Sequence, residues 1–332
     1  MKFGMVLTGD PPLQAQINRA KLGERVGFDY IYAWDSHIYK QESSALLTLL
    51  AANTDRVNIG LCVTNHVTRH PTVTASLFAT LANLIGGDRL TCGIGTGGSA
   101  IRAWGAKPGS LADMEVAVGL IQQLTRGEEV EIGGMPVKLE WAAGGPLPVL
   151  VSASGPRSLR LAGRIADGVI LTAADPVFVR WCLEQVKAGW EDAGRDGSGF
   201  RVQVAAPAYL SSDLDEARSQ VAWYPAFIGA HVANILRRYE VADGESEVWS
   251  YVESGGAGEY RQRGRPGEHA VKVPDEVVDR LTIVGDAQQT VSKLRELEAL
   301  GVTEVAIYLS TSDPDNLVEG YGREVIPAFT AG

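Results

Sequence analysis

The sequence predicts a (β/α)8 (TIM) barrel, an α/β fold in which parallel strands alternate with helices. Strand-like apolar segments alternate with helix-like segments almost from one end of the chain to the other, and they make eight units. The length of 332 residues is usual for one such barrel with insertions. A doubly wound open sheet is the alternative, but eight units in a chain of this length favour a closed barrel.

Four units are predicted in the first part of the chain. Their strands lie at residues 3–7, 28–34, 57–64 and 89–95. The helices between them are indicated by apolar residues at helical spacing, namely Leu13, Ile17 and Ala20, then the segment 44–52, then Leu77, Leu81 and Leu84. Gly27 is expected to end the first helix, because glycine readily adopts the left-handed conformation found there.

The other four strands are predicted at 149–153, 168–172, 202–210 and 303–309. Asp213 with Glu216 predicts a capping box at the start of the helix that follows the seventh strand. Asp286 with Gln289 predicts a second capping box, on the helix before the last strand, and Gly301 is expected to end that helix.

Two insertions interrupt this single predicted domain of residues 1–332. The first, at about 100–147, contains a predicted helix at 111–124 and a hairpin whose turn is Gly133-Gly134. The second, at about 241–272, is rich in Gly, Glu and Arg and is interpreted as a functional lid or a disordered excursion.

Composition excludes several classes of protein. A net charge of −10 argues against a nucleic-acid partner, because binding to phosphates needs a basic face. No apolar run is long enough to span a bilayer, and the first residues resemble a strand and not a signal peptide. The three cysteines, Cys62, Cys92 and Cys182, lie far apart in apolar sequence and are expected to be buried free thiols. A cytoplasmic protein is therefore predicted.

Candidate functional residues lie where the predicted strands end, because barrel enzymes place their chemistry at the carboxyl ends of the strands. Three of the five histidines, His37, His66 and His70, lie on this rim. No pair of them has the spacing of a known metal motif, so no metal site is expected. The sequence from Gly93 to Gly98 is not interpreted as a dinucleotide fingerprint, because no helix is expected to open directly on it.

The turn after the fifth strand is the most informative segment. Ala153, Ser154 and Gly155 leave the backbone bare, and Pro156 suits the first turn of a helix. Such a helix N-terminus can hold a phosphate or the polar edge of a flat ring. A tight strand-to-helix connection with nothing bound is the alternative.

Several motifs in order along the chain carry a resemblance to a known family. They are Asp-Ser-His at 35–37, Val-Thr-Asn at 63–65 with Thr-Arg-His-Pro at 68–71, Gly-Ile-Gly-Thr-Gly at 93–97, Ala-Ser-Gly-Pro at 153–156 with Ala-Asp-Gly-Val-Ile-Leu at 166–171, and Pro274 to Arg280. Together they resemble the bacterial-luciferase-like superfamily, over nearly the whole chain. The sequence is most similar to its branch of coenzyme F420 (deazaflavin)-dependent oxidoreductases, which includes methylenetetrahydromethanopterin reductase. The family fold is a barrel with insertions.

This resemblance implies roles for particular residues. Cys62 and Val63 match the family's bulge in strand three, which often carries a non-proline cis peptide against one face of the flavin. Thr96 and Gly97 would line the edge of the ring. The residues that would meet the ring or the phosphate-bearing side chain are Ala153, Ser154, Gly155 and Pro156.

His37 matches a family histidine beside the reactive ring and would act as an acid or a base, or orient the substrate; a structural histidine is the alternative. Several relatives have a carboxylate where this chain has Gly98, so proton transfer is expected to fall to His37 or Asp35. His66 also replaces the family's usual proline after Asn65. For Arg69 and His70 a structural role at the start of the next helix is favoured over contact with the cofactor.

The leading hypothesis is an oxidoreductase that uses coenzyme F420 to exchange a hydride with a small organic substrate. The same scaffold could instead use FMN and oxygen as a monooxygenase, with a partner flavin reductase. A non-catalytic flavin-binding protein is a third hypothesis, and an unrelated phosphate-binding barrel is a fourth. The family implies a homodimer, and neither a nucleic acid nor a membrane is expected as a partner.

Overall fold

The computed structural model describes residues 1–225, 228, 232, 235 and 273–330. The predicted insertion at 241–272 lies outside these described residues. The same holds for Arg261, Arg263 and Arg265, which the sequence places in a solvated loop, with contact to an acidic cofactor tail as the alternative.

Eight parallel strands form a closed barrel, which confirms the predicted fold. In chain order the barrel strands are β1 (Lys2–Leu7), β2 (Tyr30–Ala33), β3 (Asn58–Asn65), β4 (Leu90–Gly95), β7 (Val149–Ser152), β8 (Gly168–Leu171), β9 (Arg201–Leu210) and β11 (Glu304–Tyr308). Each pairs with the next in this order, and β11 pairs with β1 to close the ring. All eight predicted strands are present, with ends that differ by one or two residues.

Three further strands are short. β10 (Ile283–Gly285) pairs with residues 208–210 of β9, beyond the part of β9 that pairs with β11. The sequence did not indicate this strand. β5 (Val130–Ile132) and β6 (Met135–Val137) form an antiparallel hairpin outside the barrel, and both turn glycines have positive φ.

The helices surround the barrel. Their bounds are α1 (Leu13–Val26), α2 (Ser43–Ala51), α3 (Pro71–Ile85), α4 (Gly98–Arg102), α5 (Leu111–Thr125), α6 (Pro156–Ile165), α7 (Pro176–Asp192), α8 (Leu214–Val221), α9 (Asp275–Leu281), α10 (Ala287–Ala299), α11 (Pro314–Gly320) and α12 (Pro327–Thr330). A 3-10 turn (Gly87–Arg89) precedes β4, and a π-helical turn (Tyr321–Val325) follows α11.

The helix ends follow the sequence signals with two corrections. Asp286 and Gln289 form the predicted capping box on α10, and Gly27 takes the left-handed conformation after α1. Asp213 does cap α8, but Glu216 does not complete a capping box, because its carboxylate accepts a hydrogen bond from the Ser211 hydroxyl at 2.7 Å. The expectation that no helix opens directly after the Gly93–Gly98 segment is wrong, since the one-turn helix α4 begins at Gly98.

One continuous hydrophobic core joins the strands to the inner faces of the helices. It includes the strand residues Met5, Ile31, Leu61, Val151 and Val204, each with almost no exposed surface. Cys62, Cys92 and Cys182 are buried and free, as expected. Because all eight barrel strands are parallel, their carboxyl ends share one rim, which we call the barrel mouth.

Candidate active site

Four neighbouring strands bring the predicted site residues to one sector of the mouth. In the barrel, β2 lies beside β3, β3 beside β4, and β4 beside β7. Register pairs Asn65 with Gly95, and Ile94 with Val151, so the ends of β3, β4 and β7 lie side by side. The segments predicted to contact a cofactor, at 62–63, 96–97 and 153–156, therefore meet at a single edge.

β3 is bulged at Cys62 and Val63. On one side of the bulge Leu61 pairs with Cys92, and on the other Thr64 pairs with Ile94. Cys62 and Val63 therefore stand opposite the single residue Gly93. The Cys62–Val63 peptide bond is cis, as the family resemblance implies. Cys62 is buried, and burial raises the pKa of its thiol.

Glycines of β4 make room for the Val63 side chain. A Cβ atom built on Gly93 would lie 3.1 Å from Val63 Cγ1, and one built on Gly95 would lie 3.3 Å from Val63 Cγ2 and 3.6 Å from Ser152 Cβ. Val63 and Ser152 therefore flank the bare backbone of Gly95.

The turn after β4 is rigid at Gly97 and open at Gly98. Gly97 has φ of +89°, and a Cβ there would lie 2.4 Å from Ile101 Cγ1. The carbonyl of Thr96 accepts a hydrogen bond from the Gly109 amide at 2.9 Å, which closes the loop that contains α4. A Cβ on Gly98 would have no atom within 4 Å. The space next to the turn is therefore available for a ligand.

Helix α6 points its amino terminus at the same sector. Pro156 occupies its first turn, Gly155 precedes it with φ of −92°, and no side chain of the described residues caps it. A Cβ on Gly155 would meet only the Ser158 hydroxyl, at 3.8 Å. Within the described part of the chain, no side-chain cap therefore accepts a hydrogen bond from the backbone amides of the first turn, and these amides can bind an anion.

Asp35 and His37 follow β2 but differ in environment. The Asp35 side chain is 4% exposed and accepts a hydrogen bond from the Thr64 hydroxyl at 2.6 Å. His37 is exposed, and no described residue hydrogen-bonds its ring. The His37 side chain is therefore accessible to a bound molecule, whereas Asp35 is held by its hydrogen bond with Thr64 of β3.

Arg69 and His70 have the structural role that the sequence favoured. Arg69 forms an ion pair with Glu42 at 2.5 Å and lies 3.9 Å from Asp35, and the His70 ring caps the first turn of α3. His66 packs on Gly109, where a Cβ would lie 2.0 Å from its Nε2 atom. Burial lowers the pKa of His66, while the Asp113 carboxylate acts in the opposite direction.

Sequence reasoning missed an aromatic cluster in the mouth. Trp34, just after β2, meets the ring of Tyr308, the last residue of β11, edge-on with centroids 5.4 Å apart. Tyr224 meets Tyr308 in the same way at 5.5 Å, and its hydroxyl donates to the carbonyl of Thr172 at 2.5 Å. Trp34 and Tyr308, at the ends of predicted strands, were the available signal.

Within the part of the chain that the structure describes, no three His, Cys, Asp or Glu side chains are grouped to hold a metal ion. No described helix has the length and apolar character needed to cross a membrane.

The chain is similar to proteins of known family along its whole length. The family described as luciferase-like monooxygenase matches residues 1–304. A 5,10-methylenetetrahydromethanopterin reductase of Archaeoglobus fulgidus is 32% identical over 338 residues, which covers 98% of this chain and 99% of the relative. An F420-dependent glucose-6-phosphate dehydrogenase of Nakamurella multipartita is 26% identical over 339 residues, covering 94% of this chain and 91% of the relative.

A solved structure has the same fold. The coenzyme F420-dependent tetrahydromethanopterin reductase from Methanopyrus kandleri matches with a TM-score of 0.78 and 25% identity, covering 99% of both chains. The whole barrel is therefore shared with that enzyme. With a family match over residues 1–304 and a full-length relative at 32% identity, the chain belongs to the luciferase-like monooxygenase family.

Proposed function

We propose that the protein is a coenzyme F420-dependent oxidoreductase that transfers a hydride between the cofactor and a small organic substrate. One observation carries the proposal: the full-length similarity, at 32% identity, to a 5,10-methylenetetrahydromethanopterin reductase. Two further proteins are F420-dependent by name, the glucose-6-phosphate dehydrogenase at 26% identity and the solved tetrahydromethanopterin reductase at 25% identity. These two relatives are named for different substrates, so the cofactor is the property they support for this chain.

The residues present fit a deazaflavin. The bare backbone of Gly95, flanked by Val63 and Ser152, would receive one face of a planar ring, and Thr96 would lie at its edge. The uncapped amino terminus of α6 at Gly155 suits the phosphate of the cofactor tail, because its amides and dipole favour an anion. Each of these groups belongs to the same sector of the mouth.

When bound, F420 supplies a two-electron donor or acceptor that exchanges a hydride with a substrate carbon. His37 would hold or move a proton at the substrate oxygen, since its side chain is exposed and an imidazole can act as a general acid or base. Asp35, held by the Thr64 hydroxyl, is the second candidate for this proton. Trp34, Tyr308 and Tyr224 would exclude water beneath the reacting atoms.

An FMN-dependent monooxygenase is the second candidate function, because the matching family is described as luciferase-like monooxygenase. That function would require a partner flavin reductase and oxygen. A non-catalytic flavin-binding protein would bind the ring at the same residues but turn over no substrate.

Titration of the purified, cofactor-free protein with oxidised F420 and, separately, with FMN tests the proposal. We expect F420 to bind at least about tenfold more tightly, which corresponds to about 1.4 kcal/mol. Tighter binding of FMN would favour the monooxygenase. If neither bound, the cofactor assignment would be wrong. Tight F420 binding without turnover in a broad substrate screen would favour the non-catalytic flavin-binding protein.

A homodimer is part of the same proposal. Large apolar side chains are about half exposed on the loop after β2 and on the first turn of α3, including Ile38, Tyr39 and Val73. A second copy that covered them would remove apolar surface from water. Light scattering behind size-exclusion chromatography measures the mass, and a monomer at micromolar concentration would contradict this part.

A further inference from the structure

Polar side chains fill the barrel interior toward the amino ends of the strands. Their centre is Glu304, the first residue of β11, which is 1% exposed. Its carboxylate accepts hydrogen bonds from the Tyr32 hydroxyl at 2.6 Å, the Arg201 guanidinium at 2.5 Å and the Gln203 amide at 2.5 Å. Arg201 also donates to the Thr91 hydroxyl at 2.9 Å. We call these five residues the base cluster.

The base cluster determines the orientation of the Gln203 amide. A carboxylate paired with Arg201 accepts hydrogen bonds and cannot donate them, so Gln203 must direct its NH2 group at Glu304. Its amide oxygen then faces the opposite side, where it lies 3.7 Å from the Cys62 sulfur. Burial, together with the Glu304 carboxylate, raises the pKa of the Cys62 thiol. The thiol therefore keeps its proton and donates a hydrogen bond to the amide oxygen of Gln203.

The Cys62–Gln203 hydrogen bond involves a part of β3 that is not paired in register with β4. The pairing of β3 with β4 skips from Leu61 to Thr64, and Cys62 and Val63 lie in the gap. The ladder is disrupted at a bulge, so side-chain contacts help to position the bulged residues. The thiol of Cys62 points into the barrel toward Gln203, which is fully buried. The side chain of the next residue, Val63, lies over Gly93 and Gly95 toward the mouth.

We propose that Gln203 is a positioning residue, which holds Cys62 through its thiol and thereby sets the position of Val63 against the cofactor ring. This inference rests on the proposed function, because it assumes a flavin-type ring on the bulge. Tyr32 and Arg201 hold the Glu304 carboxylate in place by hydrogen bonds. The carboxylate in turn restricts the Gln203 amide to one orientation. A contact at the mouth is thus tied to a buried ion pair near the opposite end of the barrel.

The test compares three variants with the wild type. Gln203→Met keeps the length of the side chain but removes its amide, and Cys62→Ala removes the thiol from the other side of the same hydrogen bond. Thr91→Val is the matched control, because it removes a buried hydrogen bond of the base cluster and leaves the Gln203–Cys62 contact in place. Each protein is titrated with oxidised F420, and the Kd and the visible absorption spectrum of the bound cofactor are recorded.

We expect Gln203→Met and Cys62→Ala each to shift the absorption spectrum of the bound cofactor and to raise its Kd by about three- to tenfold. The double variant should be no worse than Gln203→Met alone, since both substitutions remove the Gln203–Cys62 hydrogen bond and Gln203→Met also removes the one to Glu304. Thr91→Val should lower the thermal midpoint and leave the spectrum unchanged.

An unchanged spectrum in Gln203→Met, or additive effects in the double variant, would overturn the inference while leaving the proposed function standing. A spectral shift of equal size in Thr91→Val would also overturn it, because any loosening of the barrel would then produce the effect. If Gln203→Met did not fold, Cys62→Ala against Thr91→Val would decide the same question. A wild type that bound neither F420 nor FMN would overturn both proposals.

Discussion

Replacing Gly155 by valine should weaken cofactor binding and leave the fold intact. The backbone at Gly155 is extended, with φ of −92° and ψ of 157°, a conformation that valine accepts and that the following proline favours. The added Cβ would meet only the Ser158 hydroxyl, at 3.8 Å. The loss of glycine as a helix N-cap costs about 0.5–1 kcal/mol, and the lower entropy of the unfolded chain offsets about 0.4–1 kcal/mol. The stability should therefore change little.

The effect on binding is larger because the valine side chain would occupy the space that a phosphate needs. A hydrogen bond to a charged group contributes about 1.5–3 kcal/mol, so the loss of one amide–phosphate contact should raise the Kd of F420 by about 10- to 150-fold. Fluorescence titration with oxidised F420 measures the Kd, and urea denaturation measures the stability.

Gly145→Val is the matched control. A Cβ on Gly145 would have no atom within 4 Å, and this residue precedes β7 and so lies at the opposite end of the barrel. The Kd of F420 for the Gly145→Val variant should equal that for the wild type. Equal Kd values for wild type, Gly155→Val and Gly145→Val would refute the assignment of the α6 amino terminus to the cofactor.

Three further predictions concern the mouth. His37→Ala should lower kcat by about 100-fold or more, since a general acid or base contributes about that factor. The Kd of F420 should not change. An unaltered kcat would show that His37 has no part in the mechanism. Gly97→Ala should cost about 2–5 kcal/mol in urea denaturation, from a positive φ and overlap with Ile101 Cγ1 at 2.4 Å, and an unshifted midpoint would contradict the strained turn. Burial lowers the pKa of His66 in the folded state, so below about pH 6.5 the unfolded chain binds a proton first and the free energy of unfolding falls as the pH decreases. His66→Phe should flatten this dependence between about pH 7 and about pH 5, and an identical slope in the variant would show that His66 does not contribute.

The elements that the sequence predicted well are those with strong local signals. Segments rich in apolar residues marked β1, β3 and β9 within one or two residues of their ends. The strand β10 was missed because it has only three residues and exists through its pairing with β9. Asp213 carried a correct cap signal, but the partner of Glu216 proved to be Ser211. A side chain with two hydrogen-bond partners in reach cannot be assigned from spacing alone.

For the candidate site too, the sequence identified the residues that have local signals and missed those that have none. Strand ends in chain order identified the segments 62–63, 96–97 and 153–156, because parallel strands must bring their carboxyl ends to one rim. The aromatic cluster of Trp34, Tyr224 and Tyr308 was not identified, since these residues come from distant parts of the chain. Nothing local indicates which rings meet across the mouth.

By itself the sequence determined the barrel, the order of its strands and the rim on which the candidate residues lie, because these depend on periodicity and on turn residues near in the chain. The tertiary structure alone decided which polar groups are paired inside. Glu304 and Tyr32 are 272 residues apart, and Glu304 and Gln203 are 101 apart, yet each pair is hydrogen-bonded in the base cluster. Closure of the barrel brings β2, β9 and β11 around one axis, and burial then requires each polar group to find a partner there.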